Sequence, residues 1–339
     1  MVDPLKALIV AGIIILVLVI FLLPKYGIVA RWKQAKRGIQ RILIEDALKH
    51  IYDCEYNNIP CTVQSIAGTL LISTDDAASL IGKLSSMGLL TTNEKGLRLT
   101  PEGNSYALRI IRVHRLWERY LADETSVPQT EWHSSAELQE HKLTPAQTEA
   151  LAAQIGNPHF DPHGDPIPTA SGELPPKKGL SLLSMNSGDV GVITHIEDEP
   201  EAVYAQLSAL GLYVGMQVMM IERSNERIRV AANGEEIILA PLLAKNITLE
   251  PLATEEEKIV APMETLASLK VGEEATVLNI SKACRGQQRR RLLDLGIVPG
   301  TTIRAEMRSA SGDPVAYSVR GALVALRKQH AQMIFVQRN

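Results

Sequence analysis

The second half of the chain repeats itself. Residues 207–218 read L-S-A-L-G-L-Y-V-G-M-Q-V and residues 292–303 read L-L-D-L-G-I-V-P-G-T-T-I, a shared pattern L-x-x-L-G-[LI]-x-x-G-x-x-[VI]. Upstream, residues 183–196 parallel 266–280, with Gly188 answering Gly272. Downstream, residues 228–239 and 315–326 alternate and turn near Gly234 and Gly321, as paired strands do. Self-similarity of this kind implies two copies of one structural unit. Each copy is expected to be a small barrel of short strands, with one helical turn before its Leu-Gly pair. Neither copy sets a nucleophile beside a base or carries a phosphate loop, so no enzyme is expected.

A second constraint lies between residues 114 and 141, in V-H-R-L-W-E and E-W-H-S-S-A-E-L-Q-E-H. His114 and Glu118 are four apart and share one face of a helix. His133, Glu137 and His141 repeat that spacing, and Glu140 lies one turn from Glu137. Imidazole nitrogens and carboxylate oxygens are accepted by Mn(II), Fe(II), Co(II) and Zn(II), and a set without thiolate is the harder kind. The competing reading is a solvated helix face with scattered histidines. Six donors at these spacings favour the ligand reading.

The remainder is mostly helical. Residues 42–52 have helical periodicity and are broken at Asn57-Asn58-Ile59-Pro60. Thr62 caps a short helix, and Ser73-Thr74-Asp75-Asp76 starts a second over 77–87, closed by Gly88. Residues 89–92 and 97–100 read as a hairpin. Three helices and a hairpin outline a winged helix, which would set the 77–87 helix in a DNA major groove. Further helices are expected over 105–121, 134–143 and 145–155. Residues 157–168 are too proline-rich to be regular, and 171–178 reads as a linker.

Residues 7–23 are uncharged and apolar, and Lys25, Arg31, Lys33, Lys36, Arg37 and Arg41 follow them. That charge asymmetry implies a single-pass anchor in the cytoplasmic membrane, with the C-terminal domains in the cytoplasm. The net charge of −3 argues against nucleic-acid binding through bulk charge. The three cysteines, Cys54, Cys61 and Cys284, form no C-x-x-C pair and no disulfide framework. Cys54 and Cys61 read as ordinary core or loop residues. The expected class is α+β and multidomain: an anchor over 1–24, a basic linker over 25–40, and a winged helix over 41–103. A helical domain carrying the metal donors over 104–175 and two small β-barrels over 176–254 and 262–339 complete it.

Taken together, residues 41–250 resemble the diphtheria-toxin-repressor (DtxR) family of metal-dependent transcriptional regulators. The resemblance is carried by E-D-A-L-K-H-I-Y, L-T-P-E-G, V-H-R-L-W-E, H-x-x-x-E-x-x-E-H and P-H-G-D-P-I-P. The second barrel, and more weakly the first, resembles FeoA, the small SH3-like protein of ferrous iron uptake. The resemblance implies that the helical metal-binding domain also serves dimerisation and that both barrels are SH3-like. It implies a primary metal site of Asp46, Glu137, Glu140 and His141. It implies an ancillary site of His114, Glu118 and His133, with Glu197 as the ligand added by the first barrel. It further implies a homodimer that takes Mn(II) or Fe(II) and binds operator DNA through Ser73, Thr74, Ser79, Lys83, Lys95 and Arg98. Two departures stand out. Lys49 replaces a further carboxylate of the manganese-sensing branch, and Asp75 and Asp76 stand where relatives approach DNA with neutral residues. Acids there oppose the phosphate attraction that dominates DNA affinity. The alternative is a metal-sensing accessory of a membrane ferrous-iron transporter, with the winged helix retained as scaffold only.

Overall fold

The computed structural model describes residues 28–93, 96–176, 179–232, 235–252 and 264–338. The chain divides into two compact units, Met1–Ile111 and Arg112–Asn339.

The first unit holds α1 (Ile28–Tyr56), α2 (Val63–Thr69), α3 (Thr74–Ser86) and the antiparallel pair β1 (Leu90–Asn93) and β2 (Gly96–Leu99), the order expected of a winged helix. It also holds the start of α4 (Pro101–Glu124). Helix α1 begins inside the stretch read as a basic linker, because Lys, Gln, Ala and Arg are good helix formers. Thr62 and Ser65 form a reciprocal capping box at the start of α2. Leu48, Ile51, Ile66 and Leu84 fill the core with no exposed surface. The L-T-P-E-G motif has a local explanation. The Thr100 hydroxyl accepts the Gly103 N–H at 3.0 Å, and Pro101 takes the first helical position, where no N–H is needed. Gly103 is required because a Cβ there would lie 2.0 Å from the Leu89 carbonyl oxygen.

The second unit begins with the rest of α4, then α5 (Trp132–Glu140) and α6 (Pro145–Gln154). Leu116, Leu151, Ala152 and Ile167 pack together, so residues 157–168 are irregular but not superficial. Two sheets follow. The first contains β3 (Leu180–Ser181), β4 (Val190–Ile196), β5 (Gln217–Arg223), β6 (Ile228–Ala232), β7 (Glu235–Leu239) and β8 (Ile247–Pro251), ordered β3-β8-β4-β5-β6-β7. The second contains β9 (Glu274–Ile280), β10 (Thr302–Arg308), β11 (Val315–Val319), β12 (Ala322–Leu326) and β13 (Ile334–Arg338), ordered β12-β11-β10-β9-β13. Apart from β3, the two orders are the same. Each copy also has a helix after its first long strand, α7 (Glu201–Ala209) and α9 (Gly286–Asp294), and a short helix before its last, α8 (Pro241–Ala244) and α10 (Lys328–Ala331).

The shared motif is the end of the longer helix. Gly211 and Gly296 have φ of 76° and 82°, which glycine adopts without a Cβ clash. Leu212 N–H returns to Leu207 O at 3.2 Å and Ile297 N–H to Leu292 O at 3.1 Å. Gly211 and Gly296 N–H reach Ser208 and Leu293 O, completing a Schellman end in each copy. The helices are nine residues each, longer than the single turn expected.

The expected single-pass location at the cytoplasmic membrane is corrected here. No helix among the described residues is long and apolar enough to cross a membrane, and residues 7–23, on which the expectation fell, lie outside them.

Candidate metal centre

Helices α4 and α5 bring their imidazoles and carboxylates together in the second unit. His114 Nε2 lies 3.2 Å from Glu118 Oε1 and 3.3 Å from His133 Nδ1. His114 Nδ1 lies 2.5 Å from Glu140 Oε2. His133 Nδ1 is 3.5 Å from Glu118 Oε1, and its Nε2 is 3.5 Å from Glu137 Oε1. His141, the cap residue of α5, places Nε2 3.7 Å from Glu140 Oε1. His114, Glu118 and Glu140 are buried, so the cluster is not a solvated face.

Three further residues close on it. Asp198 Oδ2 lies 3.2 Å from His133 Nδ1, and the neighbouring Glu199 Oε1 lies 3.3 Å from Nε2. The first barrel thus brings Asp198 and Glu199, the two residues after the expected Glu197, to His133. His163, in the P-H-G-D-P segment, places Nε2 3.8 Å from Glu118 Oε1. Single donor atoms of His114, Glu118 and His133 lie within 4.8 Å of one another, and the same holds for Glu118, His163 and Asp198. Asp46, the remaining expected ligand, lies on α1 in the first unit.

The segment carrying His163 is held by a carboxylate. Asp161 Oδ1 accepts both His163 N–H and Asp165 N–H at 2.9 Å. Ile196 N–H then donates to His163 O at 2.9 Å, which ties the segment to the end of β4. His195 Nε2 meets Asp165 Oδ2 at 3.2 Å on the same side.

Electrostatics agree with a site for a cation. Burial pushes the Glu118 carboxyl up, but the imidazoles of His114, His133 and His163 outweigh it and hold the group well below the usual carboxylate range. Asp198 is also held low: its burial is overcome by the hydrogen bond to His133 and by His163. Burial alone would lower His133, yet its bonds to Asp198, Glu118 and Glu137 push it up to about 12. Burial, reinforced by Asp165 and Glu118, raises Asp161.

The donor set fits the divalent ion that the resemblance implies. It is all nitrogen and oxygen, which suits Mn(II) and Fe(II). His163 is 2% exposed, and neither of its ring nitrogens has a hydrogen-bond partner. Burying such a group unpaired is costly, and an ion beside Glu118 and Asp198 would give it a partner. A pH consequence follows. Because its folded-state pKa is raised, His133 contributes stability in the metal-free protein that is fully present below 6.5 and lost as pH rises through about 12. An ion must displace that proton at neutral pH. Titration calorimetry of Mn(II) in buffers of different ionisation heat is expected to show release of about one proton per ion. A heat independent of buffer would exclude displacement at His133.

Among the described residues, the expected DNA contacts Ser73, Thr74, Ser79, Lys83 and Arg98 lie in the first unit. Ser73 caps α3: its Oγ accepts Asp76 N–H at 3.1 Å and donates to Asp76 Oδ2 at 2.7 Å. Asp76 thus has a helix-start role, and Asp75 stands beside it, exposed. Thr74 and Ser79 are exposed, and Lys83 is half-buried. Arg98 Nη1 lies 4.0 Å from Glu55 Oε1, so part of the wing's charge is compensated within the chain. Lys95 lies outside the described residues. In the second barrel, Lys282, Arg285, Arg289, Arg290 and Arg291 precede L-D-L-G, and part of this charge is engaged within the chain. Arg290 pairs with Glu124 at 2.5 Å, and Arg289 donates to the Ile280 and Ser281 carbonyls at 3.3 Å.

Comparison with known proteins gives a consistent picture. Residues 100–169 match the family described as "Iron dependent repressor, metal binding and dimerisation domain". Residues 180–251 and 264–338 match the FeoA domain. The diphtheria toxin repressor of Corynebacterium glutamicum is 26% identical over 215 residues, spanning 60% of this chain and 93% of that protein. A metal transport system membrane protein of Chlamydia trachomatis is 36% identical over 85 residues, 25% of this chain and 19% of that one. Among solved structures, a manganese-dependent transcriptional repressor in complex with manganese superposes with a TM-score of 0.57 at 28% identity. That match covers 61% of this chain and 99% of the repressor.

Proposed function

Because the chain is a homologue of the DtxR/IdeR metal-dependent repressors with FeoA domains, we infer that it is a homodimeric, Mn(II)- or Fe(II)-responsive regulator that binds operator DNA. The observation that carries this reading is the His114–Glu118–His133 cluster, with His114 and Glu118 buried, met by His163 and by Asp198 of the first barrel. Asp198 is proposed as a first-barrel ligand beside Glu197, which the resemblance implies. The primary set implied by the resemblance, Asp46 with Glu137, Glu140 and His141, is proposed on the residue match alone. Residues 41–103 are proposed as the DNA-reading domain, 104–175 as the metal and dimerisation domain, and 176–254 and 262–339 as the barrels.

When bound, the ion supplies positive charge that the protein's own carboxylates need. Glu118 and Asp198, which both approach His133 Nδ1, would hold it, and Glu140 orients His114. The regulated property is the relative stability of the DNA-competent state, which the ion favours by its differential affinity. Ser73, Thr74 and Ser79 are the neutral contacts proposed at the start of α3, with Lys83, Lys95 and Arg98 as the basic ones.

The test is a gel shift of the whole chain against the DNA upstream of its own gene, with Mn(II), with Fe(II) under anaerobic conditions, and with chelator. A sequence-specific shift that chelator abolishes is expected. In the same assay Lys83→Ala should weaken binding uniformly across sequences and reduce the salt slope by about one. A shift unaffected by chelator would contradict the metal switch.

A second reading is favoured by the FeoA doubling, by the match to a segment of a metal transport system protein, and by the exposed acid at the start of α3. In it the barrels serve a ferrous-iron transporter and DNA is not bound. Metal binding without any shift, together with recovery of a transporter subunit in a pull-down, would move the assignment there.

A further inference from the structure

The first unit contains a donor set of different chemistry. Cys54 lies near the end of α1, and Cys61 immediately precedes Thr62, the cap of α2. His50 is one turn before Cys54 on the same helix face. His50 Nε2 lies 3.6 Å from Cys54 Sγ and 3.1 Å from Ser65 Oγ, which in turn is 3.7 Å from Cys61 Sγ. The donor atoms of His50, Cys54 and Cys61 all fall within 4.8 Å of one another. Both thiols are buried, at 7% and 4% exposure. Zinc bonds of about 2.3 Å to sulfur and 2.0–2.1 Å to nitrogen, at tetrahedral angles, separate the two donors by about 3.6 Å. The observed His50–Cys54 spacing is already that of a pair sharing one ion.

We propose that His50, Cys54 and Cys61 form a zinc site in the first unit, with the fourth coordination position on the Ser65 side. The site is soft where the α4–α5 cluster is hard, so the two sort different metals. It clamps the end of α1 to the start of α2. Burial raises both thiols, Cys54 to about 12, so without an ion they are neutral and zinc binding releases their protons.

The test uses the whole chain, reduced and handled anaerobically. Cobalt, which reports zinc sites by colour, is titrated past the capacity of both clusters. A thiolate-to-cobalt charge-transfer band and the visible bands of tetrahedral cobalt are expected, and added zinc should bleach them. Cys54→Ser/Cys61→Ser should lose the charge-transfer band while retaining Cys284. Glu118→Gln, which alters only the hard cluster, should keep it. No variant is needed for the second readout. Zinc should slow alkylation of Cys54 and Cys61 at least tenfold, read by peptide mass, and leave Cys284 unchanged. Cobalt binding without a thiolate band, a band that survives in the double-serine variant, or equal labelling with and without zinc would overturn the site. So would tight binding of Cu(I) with no binding of zinc or cobalt.

Discussion

Glu118→Gln is expected to weaken Mn(II) binding at the α4–α5 cluster by at least about 100-fold, more than the loss of a residue that merely orients a ligand. Glu118 faces His114, His133 and His163 at once and is 1% exposed. The glutamine keeps the shape and an acceptor but removes the charge. In the metal-free protein this leaves the His133 imidazolium with fewer partners, and a loss of about 3 kcal/mol is expected for breaking one side of a buried pair. The pH dependence has a definite sign. A carboxyl with depressed pKa contributes stability above its unfolded value of 4.5, and loses it as pH falls through the folded value. Urea unfolding in chelator should therefore show the full gap between wild type and variant at neutral pH, narrowing below 4.5. An equal gap at all pH values would mean that the carboxylate charge is not what matters.

Gly164→Ala is expected to cost as much by a different route. Its φ is +95°, and an added Cβ would lie 1.9 Å from the Thr194 carbonyl oxygen and 2.9 Å from His195 Cα. Both obstacles are backbone of β4, so no side chain can rotate away. The strain of a non-glycine residue at this φ adds to the clash, and a loss of about 3 kcal/mol or more is expected. The segment can relieve it only by lifting off β4, which breaks the bond from Ile196 N–H to His163 O and withdraws His163 from Glu118. Thermal melting in chelator should show the loss of stability, and Mn(II) titration should show weakened binding although no ligand has been changed. Unchanged melting would show that the β4 backbone yields to the methyl group.

Much of this was legible in the residues. The i, i+4 spacing placed His114 with Glu118 and His133 with Glu137, because helical periodicity fixes which side chains share a face. The Leu-Gly repeat announced two copies of one fold, since a Schellman end demands glycine at one position and apolar residues at fixed offsets. What sequence could not supply was register. A β-bulge between Ile193 and His195 inserts a residue opposite β8, so which residues after β4 come near the helices is set by strand pairing that no local pattern fixes. His163 was visible in P-H-G-D-P-I-P, but a proline-rich run reads only as irregular. Its burial depends on Asp161 satisfying two backbone N–H groups, which no local pattern announces. The helix Gly286–Asp294 was underestimated because Q-Q-R-R-R shows no apolar periodicity. Cys54 and Cys61 gave no metal spacing in sequence, because the turn at residues 57–60 makes them neighbours.

Glu118, His163 and Asp198 come from three segments far apart in the chain, one on α4, one in the buried proline-rich run and one after β4. An ion held by all three is topologically a cross-link. It closes two long loops, and loop closure removes entropy from the unfolded ensemble much as a disulfide does. Unlike a disulfide, this cross-link is made and unmade at the concentration of free ion. The helices and the first barrel should therefore unfold as one cooperative block when loaded. With chelator the calorimetric transition should split, the barrel melting on its own.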